Sequence, residues 1–187
     1  MTVWVGLLRA INVGGRRVKM ADLRTACEQL GFTTVRTYIA SGNVLLAGPP
    51  TGPVPTDAEQ VRRTLEAGLT ERLGFDVQAV VRSPAELHAV VDRLPFPTPE
   101  QVSVTFLLAE PEPAWVETVR AGLVNDAELV VDGAHAYLRT PHGLGQPFLT
   151  GPVGSRFALA GTTRNWRTTV ALADLADQLA GATGPTA

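Results

Sequence analysis

Apolar positions along this chain fall into short continuous runs and longer stretches of helical spacing, and their alternation predicts the architecture. Val3-Trp4-Val5-Gly6-Leu7-Leu8 is nearly all apolar, as expected of a central strand covered on at least one face. Met20, Leu23, Cys27 and Leu30 then recur at helical spacing, and Gly31 stands where a helix ends. Val35-Arg36-Thr37-Tyr38-Ile39 is rich in strand formers, Ser41-Gly42-Asn43 signals a turn, and Val44-Leu45-Leu46 resumes the sheet as a hairpin. Beyond a loop at 48–55, Thr56-Asp57-Ala58-Glu59 has capping-box spacing, and Val61, Leu65, Leu69 and Leu73 mark a helix closed by Gly74. Val77-Gln78-Ala79-Val80-Val81 predicts a strand. Ser83-Pro84-Ala85-Glu86 then opens a helix carrying Leu87, Val90, Val91 and Leu94 on one face.

The second half repeats that order. Val102 to Leu108 predicts a strand, and Trp115, Val119 and Leu123 a helix over 113–123. Leu129-Val130-Val131 and Ala136-Tyr137-Leu138 flank the hairpin signal Asp132-Gly133-Ala134. A stretch broken by glycine and proline, 141–154, precedes a short helix near Arg156-Phe157-Ala158-Leu159. Thr162-Thr163-Arg164 predicts a short strand, and Leu172, Leu175, Ala176 and Leu179 a last helix. The expected fold class is α+β: two ferredoxin-like halves (βαββαβ plus an extra helix) packed together, each an antiparallel sheet with helices on one face. The expected division is 1–94, a proline-rich linker at 95–99, a degenerate second half at 100–180, and a flexible tail at 181–187.

Composition narrows the function only a little. The chain has 187 residues, 45% of them hydrophobic, and a net charge of −2, so no global charge draws it to nucleic acid. Charge is uneven, however: residues 1–40 hold six bases against two acids, and residues 100–135 seven acids against Arg120. One face for anions and another that repels them is one reading; two unrelated solvated surfaces is the other. The single cysteine, Cys27, lies on a core stripe and excludes an internal disulfide or a thiolate cage. Arg9 interrupts the first apolar run, so no signal peptide is expected, and no segment has the roughly 18 apolar residues of a membrane span. A cytoplasmic protein is expected, with no membrane partner.

The chemistry converges on one corner. In a ferredoxin-like half the first and third strands are antiparallel neighbours, which sets Asn12-Val13-Gly14-Gly15 beside Ser41-Gly42-Asn43. Glycines let backbone N–H groups approach a ligand, and a helix beginning at Met20 adds unpaired donors. Arg9, Arg16, Arg17 and Lys19 add full charges; Ser41 and Asn43 add neutral donors. Lys19 is the one lysine beside fifteen arginines. The spacing is neither that of a P-loop nor that of a dinucleotide fingerprint. The plain alternative is a turn and a solvated loop. A second group, Arg164-Asn165-Trp166, combines guanidinium and indole, suited to stacking on a base or phosphate, or else forms a helix cap beside a core tryptophan. His88 on an exposed helix face, and His135 and His142 in loops, lack metal-ligand spacing, so neither metal nor cofactor is expected. Asp22 and Glu28 fall on different faces of one helix, and no Gly-x-Ser-x-Gly elbow is present.

Three segments, Leu8-Arg9-Ala10-Ile11-Asn12-Val13-Gly14-Gly15, Tyr38-Ile39-Ala40-Ser41-Gly42-Asn43-Val44 and Thr162-Thr163-Arg164-Asn165-Trp166, together resemble the bacterial domain of unknown function (DUF) 1697 family. The resemblance implies a compact α+β protein and no assigned activity. It marks Arg9, Asn12, Gly14, Gly15, Ser41, Asn43, Arg164, Asn165 and Trp166 as motif positions without roles. Where that family has a lysine- and asparagine-bearing segment, this chain reads Gly145-Gln146-Pro147-Phe148-Leu149-Thr150-Gly151-Pro152. Three functional readings follow: a binding module for a phosphate-bearing small molecule or nucleic acid; an enzyme using Ser41 or Tyr38 in proton transfer, with Arg9 fixing an anionic substrate; and an interaction protein using the acidic second half.

Overall fold

Each half of the chain builds one four-stranded antiparallel sheet in the computed structural model, which describes residues 2–9, 11–12, 17–48 and 57–182. The first half runs β1 (Val3–Leu8), α1 (Met20–Gln29), β2 (Thr34–Tyr38), β3 (Asn43–Ala47), α2 (Ala58–Leu73), β4 (Ala79–Arg82) and α3 (Pro84–Asp92). The second runs β5 (Val102–Leu107), α4 (Pro113–Ala121), β6 (Glu128–Asp132), β7 (His135–Arg139), α5 (Gly151–Leu159), β8 (Gly161–Asn165) and α6 (Trp166–Ala182). The sheet orders are β2-β3-β1-β4 and β6-β7-β5-β8, the same ferredoxin-like order twice. By internal packing, the chain divides into residues 1–88 with 171–187, and 89–170.

The likeness of the halves extends to register. In the first unit Arg82 stands opposite Val5, the third residue of β1; in the second, Arg164 stands opposite Val104, the third residue of β5. The first core gathers Leu8, Val44, Leu46 and Val81 of the sheet with Leu23 and Cys27 of α1 and Leu65 and Leu69 of α2. The opposite face of the same sheet is also covered: Val3, Val5, Leu7, Leu45 and Val80 are at most 4% exposed. Two buried faces explain why β1 and β3 read as continuous rather than alternating apolar runs. In the second unit Leu107, Leu129, Ala136 and Leu138 pack with Val119 of α4 and Phe157 of α5. On the other face the Tyr137 hydroxyl donates to the Val90 carbonyl of α3 at 3.0 Å, and burial pushes its pKa up to about 12.

Caps set the helix starts. Asp57 accepts from the Gln60 N–H at 2.8 Å, so the cap of α2 is Asp57; Thr56, the expected cap, lies outside the described residues. Ser83 and Glu86 form the reciprocal box at α3, with Ser83 N–H donating to Glu86 Oε2 at 2.7 Å and Glu86 N–H to Ser83 Oγ at 3.2 Å. Three sequence expectations need correction. Helix α5 begins at Gly151, not near Arg156, because Pro152 occupies the first turn, where its missing N–H costs nothing. His135 opens β7 rather than lying in a loop, its ring edge-on to Phe106 with centroids 5.6 Å apart. Ile39 leaves the strand: β2 ends at Tyr38, and Ile39 adopts φ 47° with half its surface exposed. The expected tail at 181–187 starts as the end of α6, and residues 183–187 lie outside the described residues.

A Cβ on Gly161 would lie 2.1 Å from the Phe106 carbonyl oxygen, a backbone atom. Gly161→Ala should therefore cost about 1–3 kcal/mol in urea unfolding, and a change below about 0.5 kcal/mol would contradict the close β5–β8 approach. Burial moves the Cys27 thiol from 9.0 to about 12. The unfolded chain loses this proton first, so the thiol's contribution to stability is whole below pH 9.0 and is lost as pH rises toward 12. At about pH 8 Ellman's reagent should leave the native thiol untouched and label it once the chain is unfolded; rapid native labelling would refute burial.

Candidate functional site

Strand β1 delivers its last residues to the β2–β3 turn. Leu7 pairs with Asn43, and the Leu8 N–H donates to the Gly42 carbonyl at 2.8 Å. Gly42 permits this approach: its φ is +76°, and a Cβ there would sit 2.8 Å from Ile11 Cγ2 and 3.1 Å from Leu8 Cβ. The turn is braced internally by Asn43, fully buried, whose Nδ2 donates to Tyr38 O at 3.0 Å and to Ser41 Oγ at 2.9 Å.

Asn12 ties the following loop to this turn. Its Oδ1 accepts from the Val18 N–H at 2.6 Å; its Nδ2 donates to Val18 O at 3.2 Å and to Ala40 O at 3.0 Å. Both Nδ2 hydrogens of Asn12, and both of Asn43, are thus directed at protein acceptors. Arg9 is held on the β4 side, its N–H donating to Gln78 O at 2.9 Å and its Nη1 to Gln78 Oε1 at 2.8 Å. Gln78 escaped notice in the sequence, where its signal was one polar residue inside an apolar strand run. Arg17 and Lys19 are exposed, and Lys19 occupies the N-cap of α1 in extended conformation with no side-chain cap. Gly14, Gly15 and Arg16 lie outside the described residues.

The second motif sits in the other unit and is built as a cap. Asn165 Oδ1 accepts from the Thr168 N–H at 2.8 Å, and Asn165 O accepts from the Thr169 hydroxyl at 3.1 Å. Trp166 is half-buried rather than a core tryptophan. Arg164 is buried, its Nη1 donating to Thr162 Oγ1 at 2.7 Å and Thr163 O at 2.9 Å; burial lowers its pKa to about 10. Arg82 has the same environment, donating to Val81 O at 2.9 Å, with a pKa lowered by burial against the opposing pull of Glu86.

The acidic second half is partly neutralised. Glu117, Glu128 and Asp132 stand against Arg120, Arg139 and Arg93, and the Asp126 carboxylate lies 3.5 Å from His142 Nε2. His88 in turn meets Asp177 at 2.8 Å. Among the described residues no three His, Cys, Asp or Glu side chains cluster to hold a metal ion, and no helix is long and apolar enough to cross a membrane.

Two ferredoxin-like units in one chain, the first bearing a basic corner braced by asparagines, define the structural class. The chain belongs to the family described as "Protein of unknown function (DUF1697)", whose model matches residues 1–137. That match contains the Asn12 and Asn43 motifs and ends before Arg164. Among solved structures, a conserved bacterial protein, SP0830 of Streptococcus pneumoniae, is similar at 21% identity, covering 95% of this chain and 99% of that one, with a TM-score of 0.70. That likeness is one of fold. No curated protein matches the chain.

Asn12→Ala removes three hydrogen bonds and strands Val18 N–H. It should cost about 2–3 kcal/mol in urea unfolding, whereas Ser41→Ala should cost under about 1 kcal/mol. Equal, small effects would mean that Asn12 does not hold the loop.

Proposed function

We propose that the corner made by residues 9–19 and the turn at 41–43 binds a phosphate-bearing anion, such as a nucleotide or a stretch of nucleic acid. The observation that carries this reading is the start of α1, where Lys19 and Arg17 are exposed and no side chain caps the helix. The first-turn N–H groups and the helix dipole favour an anion at that point. Arg16, Gly14 and Gly15 belong to the same loop by sequence and extend its basic, glycine-rich character. Asn12 and Asn43 act here as braces rather than as ligand donors, because their amide hydrogens are spent on the protein, and Ser41 Oγ accepts one of them from Asn43. Arg9, fixed by Gln78, supplies charge at the rim. The Arg164-Asn165-Trp166 segment has no part in this reading.

Inorganic tripolyphosphate and a short oligo(U) RNA are suitable probes. Calorimetric affinity should fall at least about tenfold between roughly 50 and 200 mM salt, and again in the Arg17→Ala/Lys19→Ala double variant. Absence of binding at low salt, or affinity unchanged in the double variant, would overturn the proposal.

A further inference from the structure

Helices α4 and α5 of the second unit run antiparallel and enclose a hollow between them. At one end they nearly touch. A Cβ on Gly122 would come within 3.1 Å of Val153 Cγ1, and the Thr150 N–H donates to Gly122 O at 3.0 Å. At the other end the Trp115 and Phe157 rings lie nearly parallel, 14° apart in plane and 6.0 Å between centroids. The hollow between has a volume of about 250 Å³ and is lined by Ala114, Trp115, Thr118, Val119, Val153 and Arg156.

One charge stands in that lining. Arg156 is exposed, and no ion pair holds it among the described residues. The Thr118 hydroxyl directs its hydrogen to the Ala114 carbonyl at 2.8 Å, so the charged donor in the lining is the Arg156 guanidinium, with the Trp115 indole N–H as a neutral one beside it. The hollow on the opposite side of α4 has the same volume and a contrasting charge state. There Arg120 is bonded to Glu117 at 2.8 Å and Glu110 adds a second acid. The charged residues lining one side of α4 are two acids and one base, and on the other side Arg156 alone.

We propose that the α4–α5 hollow binds a small molecule in which a compact apolar group, best an aromatic ring, carries a carboxylate. The ring lies against Trp115, Val119 and Val153, and the carboxylate takes the two parallel donors of Arg156, the arrangement a guanidinium provides and an ammonium does not. The volume falls below the roughly 300–1,000 Å³ of sites for drug-sized ligands, which limits the occupant to one ring and a short acid arm. The site lies in the other unit from the basic corner and does not depend on that reading. A cation in the last turn of α5 also suits the helix dipole, and a neutral ligand separates the two roles.

The test follows the Trp115 indole N–H by NMR in the full chain, its signal assigned with Trp115→Phe, during titration with 3-phenylpropionate and with 3-phenylpropanamide. The acid should shift the signal saturably and bind at least about tenfold more tightly than the amide. Arg156→Gln, at an exposed position, should abolish that preference and leave the remaining spectrum in place. No saturable shift up to roughly 20 mM acid, weaker than any useful site, would overturn the proposal. So would equal affinity for acid and amide in the native chain, or a preference that survives Arg156→Gln.

Discussion

The basic corner depends on one carboxamide. Closing the loop from Asn12 to Val18 costs chain entropy, and Asn12 offsets it with three hydrogen bonds, two to Val18 and one to Ala40. Val18 and Met20 also pack against the first core, and the three bonds add to that packing in fixing where Arg17 and Lys19 stand relative to the β2–β3 turn. The turn in turn is located by a backbone contact, Leu8 to Gly42, at the end of the central β1–β3 pair. A chain of constraints therefore runs from sheet register through a glycine and an asparagine to two exposed cations. In this corner the asparagines spend their hydrogen bonds on the protein, while Arg17 and Lys19 stand exposed.

The two buried arginines show how closely the units correspond where residue identity does not. Arg82 and Arg164 occupy the same register on the last strand of their sheets, and each donates Nη1 to the carbonyl of the residue before it. Each precedes the residue that caps the next helix, Ser83 or Asn165. Burial opposes the charge on both, so these positions sustain a desolvation cost that a surface arginine avoids. Hydrogen bonds to backbone carbonyls, and to Thr162 in the case of Arg164, offset part of it.

Much of the fold was legible because periodicity records burial. The strand runs at Val3–Leu8 and Val44-Leu45-Leu46, and the helical stripe Val61, Leu65, Leu69, name core positions directly, and the element order then implies the ferredoxin-like arrangement. What periodicity does not record was misread. Pro152 and Gly154 looked like breakers but sit in the first turns of α5, and Ile39 looked like a strand residue but bends into the left-handed region. The neighbourhood of Asn12 and Asn43 followed from topology, yet their role did not, since a side-chain bond to a distant backbone leaves no trace in residue order. The α4–α5 hollow was invisible for a related reason: Trp115 and Arg156 are far apart in the chain and meet only through helix packing.

Amide hydrogen exchange at Val18 tests the Asn12 brace most directly. Its N–H lies outside any helix or strand and is held by the Asn12 side chain at 2.6 Å. Slowed exchange in the native chain, lost selectively in Asn12→Ala while the β1–β3 amides stay protected, is the result this account predicts. A Val18 amide that exchanges at the same rate with and without the Asn12 carboxamide would contradict it.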